Sequence, residues 1–173
     1  MSETAFRESD PEGVRPLDGG ALAARWWKWA LSAPEEHCPV RDRTGKHAAW
    51  RQPADIWFLA GTYGGRVVRR CQIPSGRPVF FPVINSQRST LGLSAQPLQL
   101  AVSSAAADLN GVPLEMYEYC SRRFWASGRL RVAWGLWSAL EPLTPGQYIL
   151  TIRAISGTFV VDTTYHLDVV PTL

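Results

Sequence analysis

At 173 residues the chain has the length of a single domain, at the usual ~100–200 residues each, which argues against a separate cofactor-binding domain. Hydrophobic residues make up 46% and charged residues 19%, enough apolar material for a sizeable core and too little charge for a disordered chain. The formal net charge is only +3 and the basic residues are scattered, so no nucleic acid is expected as a partner.

Residues 1–17 carry Pro11, Gly13 and Pro16 among alternating charges and are expected to be a flexible arm. This start is acidic and polar where a signal peptide would be basic then apolar, and no apolar run approaches the ~18 residues of a membrane span. The expectation is a cytoplasmic protein without membrane contact. From Asp18 the segment GGALAARWWKWALSA places Leu22, Trp26, Trp29 and Ala33 at helical spacing, with Asp18 as cap and Pro34 as stop, predicting a helix over 19–33 that packs on a sheet.

After a loop from Pro34 to Pro53 the period changes from 3.6 to 2, and the remainder reads as all-β. The predicted strands are 55–62, 66–73, 78–84, 98–109, 112–119, 130–136, 147–155 and 159–169. Tyr63-Gly64-Gly65 and Asn110-Gly111 mark two hairpins, the second of type I′ because Asn-Gly tolerates positive φ at both central positions. About eight strands without intervening helices point to an antiparallel sandwich or barrel, residues 18–173 forming one β-rich domain whose N-terminal helix covers an opening or edge.

Several pieces resemble a family of mostly secreted, functionally uncharacterised bacterial proteins. They are Pro39-x-x-Asp42-x-Thr44-Gly45, Gln52, the run Trp57 to Thr62, Arg69-x-Cys71-x-Ile73-Pro74-x-Gly76, Phe81-Pro82-x-x-Asn85, Pro145-Gly146 and Asp162-x-Thr164-Tyr165-His166. The resemblance implies no activity. Secreted relatives tend to carry a cysteine shortly before the Gln52 position, a partner for the cysteine at Cys71; here that stretch is Lys46 to Trp50. Its absence agrees with a reducing compartment and implies a scaffold recruited to an intracellular task.

The last predicted strand carries the best candidate chemistry. Alternation puts Phe159, Val161, Thr163, Tyr165, Leu167 and Val169 on a core face, and Val160, Asp162, Thr164, His166 and Asp168 on the other. Asp168 lies about 6.6 Å from His166 along an extended strand, near enough to orient an imidazole that acts as acid or base, whereas Asp162 lies about 13 Å away. A solvated strand face with a surface histidine is the plainer alternative. Arg69 shares an apolar face with Val67, Cys71 and Ile73, so it needs a carboxylate partner, either Asp162 or Asp42, as a structural pair or as a ligand anchor.

Cys71 reads as an inert buried thiol, and Cys38, beside His37, as a more reactive one held back by Glu35 and Glu36. With three cysteines in no disulfide or C-x-x-C pattern, free thiols are expected. His37, Cys38, Asp42 and His47 fit no zinc spacing, and no nucleotide or hydrolase motif occurs, so neither metal nor cofactor is expected. Eight tryptophans exceed what one core needs; they fit an aromatic ligand cavity or an interface between copies of the chain.

Two functions survive. One is a cofactor-independent cyclase, isomerase or lyase acting on an apolar or aromatic intracellular metabolite. It would use His166 and Asp168 for catalysis and Arg69, Asn85, Trp57, Asp162 and Thr164 for binding substrate. The other is a non-catalytic β-sandwich that binds a small molecule or a protein.

Overall fold

A computed structural model describes residues 18–90 and 96–172; the arm expected at 1–17 lies outside them. Helix α1 spans Gly19–Ser32, and the Asp18 carboxylate accepts from the Ala21 N–H at 2.9 Å, as its capping role requires. The buried stripe is Gly19, Ala23, Trp26, Trp27 and Ala30, with Trp29 also buried. It is displaced one position from the stripe expected at Leu22, Trp26, Trp29 and Ala33, because the adjacent Trp26 and Trp27 both turn inward. Gly19 is required at its place, since a Cβ there would lie 2.2 Å from the Tyr119 ring.

The strands form two five-stranded sheets. In the first, β1 (Trp57–Phe58), β3 (Val79–Ser89), β8 (Arg129–Leu140) and β6 (Tyr117–Cys120) lie in that order, with β7 (Phe124–Ala126) also on β8. In the second the order is β2 (Gly65–Pro74), β10 (Phe159–Val170), β9 (Gly146–Ser156), β4 (Ser104–Leu109) and β5 (Val112–Pro113). The fold is all-β with one helix, a sandwich whose sheets are mixed: β1 runs parallel to β3 and β2 parallel to β10. That corrects the purely antiparallel expectation.

The first sheet is buried on both faces. One packs on the second sheet through Trp57, Val79, Phe81, Leu150, Ile152, Tyr165 and Leu167. The other packs under α1 through Phe58, Phe80, Phe124, Ala133 and Trp137. Trp137 stacks on Phe80 at 4.9 Å between ring centroids and meets Trp26 edge-on at 5.5 Å. Trp26 donates to the Leu59 carbonyl at 2.8 Å and Trp29 to that of Trp50 at 2.5 Å. Most of the tryptophans are thus spent attaching the helix.

Several strand boundaries moved for identifiable reasons. The strand expected at 55–62 shrinks to two residues because the following carbonyls have other donors. Leu59 serves Trp26, Ala60 serves Arg69 and Tyr165, and Gly61 serves Arg69. The segment expected at 112–119 divides after Pro113, which has no N–H to continue a ladder, and the chain crosses from the second sheet to the first. Only the last part of 98–109 joins a ladder, and β7 was not anticipated at all. Gly64-Gly65 does not form a hairpin, because β1 and β2 belong to different sheets. The Asn110-Gly111 hairpin is present, with φ of 51° and 80°.

Arg69 holds these parts together. It is 1% exposed, and its guanidinium meets no carboxylate among the described residues. Nε donates to the Asp42 carbonyl at 2.6 Å and Nη2 to that of Val40 at 3.0 Å. Nη1 donates to the carbonyls of Ala60 and Gly61 at 3.0 and 2.9 Å and to the Tyr165 hydroxyl at 2.7 Å. The expected partners are otherwise engaged: Asp162 points out to Arg153 at 3.5 Å, and the Asp42 carboxylate accepts from the Thr44 N–H and hydroxyl and from the His47 N–H. Burial alone would push the Asp42 carboxyl up, but these bonds together hold it below its ordinary 3.8.

Arg69→Ala leaves the Val40, Asp42 and Gly61 carbonyls without this donor in the core, the Ala60 carbonyl and Tyr165 hydroxyl keeping each other, so denaturant unfolding should show a loss of more than ~3 kcal/mol. A loss within ~0.5 kcal/mol, as at surface sites, would contradict this assignment. Asp42 gives a pH signature. Because its folded carboxyl ionises more readily than the unfolded one, its contribution is present above 3.8 and disappears as pH falls through the lowered folded value. Asp42→Asn should therefore be less stable than wild type at about pH 7 and lose less stability than wild type between about pH 4 and pH 2, as followed by denaturant titration.

Candidate functional site

The outward face of the second sheet is built by alternation on β2, β10 and β9. Every second residue of β10 from Val161 to Val169 is buried, leaving Asp162, Thr164, His166 and Asp168 on the solvent side. Parallel pairing sets Arg70 beside His166 and Gln72 beside Asp168. Antiparallel pairing sets Ile149 and Gln147 on their other flanks. Two adjacent rows result, Arg70–His166–Ile149 and Gln72–Asp168–Gln147.

These rows line an open depression of about 630 Å³, bounded at one end by Asn110 of the β4–β5 turn. Asn110 is fixed there: its Oδ1 accepts from the Ile149 N–H and its own N–H donates to the Ile149 carbonyl, both at 2.8 Å. The Gln72 amide donates to Asp168 Oδ2 at 3.3 Å. Neither the His166 imidazole nor the Arg70 guanidinium makes a side-chain hydrogen bond or ion pair among the described residues.

The sequence candidates separate into two groups. His166, Asp168, Thr164 and Asp162 share the outward face as expected, but Asp168 is held by Gln72 rather than turned to the imidazole. Arg69, Trp57 and Asn85 are elsewhere. Arg69 is the buried hub, Trp57 lies in the core between the sheets, and Asn85 pairs with Gly135 in the first sheet with its Nδ2 buried and unpartnered. None of these three lines the depression. The residues missed were Arg70, Gln72, Gln147, Ile149 and Asn110. Alternation on β2 and β9 already put the first four on a solvent face; the missing information was that β2 lies beside β10.

A second, smaller depression of about 240 Å³ includes Glu35, Glu36, Arg41, Lys46 and His47. His37 stacks on Trp50 and meets His47 edge-on at 5.0 Å. Among the described residues no group of three or more His, Cys, Asp or Glu is arranged to hold a metal ion. No helix among them is long and apolar enough to cross a membrane. No protein family, curated protein or solved structure matches this chain.

All three cysteines are free. Cys38, read as more reactive than Cys71 but held back by Glu35 and Glu36, is buried under α1 with its thiol 3.9 Å from the Ala30 carbonyl. Cys71, read from the sequence as buried, is only partly so and lines the groove; its burial still pushes the thiol up to about 12, the nearby Arg69 charge pulling the other way. Cys120 is exposed. Alkylation of the folded protein should label Cys120 alone, and labelling of Cys38 and Cys71 should require denaturant; mass mapping of the labelled peptides checks the order.

Proposed function

We propose that the protein is a non-catalytic β-sandwich binding module whose ligand is a small polar molecule seated on the Arg70–His166–Ile149 and Gln72–Asp168–Gln147 rows. One observation carries this reading: a guanidinium and an imidazole, both unpaired among the described residues, stand on paired positions of neighbouring strands over a depression of about 630 Å³. Convergent polar groups on rigid strands are what a specific small-molecule site needs.

The cofactor-independent cyclase, isomerase or lyase has less support. A general acid or base is normally oriented by a second group and shielded from water. Here Asp168 is bonded to Gln72, and the imidazole lies in an open depression. The depression is rimmed mainly by polar side chains, Tyr148 being among its lining residues, and most of the tryptophans sit in the cores, so an apolar or aromatic metabolite fits less well than a hydrogen-bonding one.

Screening small polar fragments by amide chemical-shift perturbation tests the reading. Binding should move the signals of residues 70–72, 147–149 and 166–168 as one group. His166→Ala should weaken those ligands while leaving the melting temperature near wild type, because the residue lies outside both cores. Ligands clustering elsewhere, or turnover of any ligand that His166→Gln abolishes, would overturn it.

A further inference from the structure

We infer that the ligand of this groove is a free α-amino acid, its carboxylate on Arg70 and His166 and its ammonium group on Asp168. The inference rests on the binding reading above and extends it to a ligand class. The groove is lined by the charged Arg70 and Asp168 and the imidazole of His166, besides Cys71 and Tyr148. Arg70 has no acidic partner among the described residues, so a planar carboxylate can take its fork of N–H donors, with His166 beside it as a further donor. Asp168, two residues along β10, has one oxygen engaged by the neutral Gln72 amide, leaving the other oxygen for a donor from the ligand.

The two charges are opposite and their residues stand diagonally on neighbouring strands, offset roughly 6.6 Å along the strands and about 4.8 Å across them. That leaves room for one hydrogen bond to each end of a molecule whose carboxylate and ammonium sit on a single carbon. Other ligand classes meet a mismatch. A dianionic phosphate would face the Asp168 carboxylate, a simple cation would face Arg70, and a neutral sugar would leave the guanidinium without a counter-charge. The other charges on this sheet face do not line the groove: Arg66, Asp162 and Arg153 lie four residues further along, Asp162 paired with Arg153, and the Asp108 carboxylate accepts from the Thr151 hydroxyl and the Gly111 N–H. Ile149, flanking His166 and 45% exposed, offers an apolar surface to the ligand side chain.

The test compares L-leucine, N-acetyl-leucine, leucinamide and acetate on the full chain by amide chemical-shift titration. Leucine should bind, and blocking either charge should weaken binding about tenfold or more, the scale of one charge-assisted hydrogen bond. Arg70→Gln should abolish the preference for leucine over leucinamide, and Asp168→Asn the preference for leucine over N-acetyl-leucine. Both side chains lie on the solvent face, and the wild-type probe series decides the matter without the variants. Equal binding of leucine and its blocked forms, or binding of uncharged fragments alone, would overturn the amino-acid inference and leave the binding module standing. If no probe or fragment moves the groove residues, both fall together.

Discussion

A guanidinium sealed inside the protein without an acid opposite it sets the terms for the rest of the structure. A buried charge is tolerated only when its hydrogen-bonding capacity is filled, and around Arg69 that is achieved by four main-chain carbonyls and the Tyr165 hydroxyl. Those acceptors come from the loop at Val40 and Asp42, from the segment after β1, and from β10. Satisfying one side chain therefore fixes where three distant pieces of chain meet. It also draws the carbonyls of Ala60 and Gly61 away from any ladder, which is why a strand-like sequence pairs over only two residues.

The same region closes two sheet edges that would otherwise be open to pairing with another chain. On β1, the Gln52 carboxamide accepts from the Phe58 N–H at 2.8 Å and donates to its carbonyl at 2.7 Å, as a neighbouring strand would. On β2, the loop at Thr44 supplies a carbonyl to the Arg70 N–H at 2.9 Å. Gly45 packs so closely there that a Cβ would lie 2.3 Å from the Arg70 carbonyl oxygen. Asp42, Thr44, Gly45, Gln52 and Arg69 thus have structural work in one place.

The aromatic residues follow a similar logic. A helix laid on the outer face of the first sheet gives the domain a second core, and the indoles fill it. The outward face of the second sheet carries Arg70, Gln72, His166, Asp168 and Gln147 around the groove, together with the exposed Val68, Ile149, Ile155 and Val160. Its groove is mainly polar and held by regular strands, suited to recognition by hydrogen bonds and charge.

The sequence by itself determined the elements that rest on local chemistry: a capped amphipathic helix, the alternation of the last strand, and the Asn110-Gly111 turn. Each depends on residues close along the chain, where backbone preference and side-chain period act directly. It also placed His166 and Asp168 on the solvent face. Only the tertiary structure decided that β2 lies parallel to β10, bringing Arg70 to His166 across nearly a hundred residues, and that Arg69 turns inward to carbonyls while its neighbour Arg70 turns out. Parallel pairing has no turn to announce it. A main-chain carbonyl is present at every residue, so no side-chain pattern marks which of them a buried arginine will use.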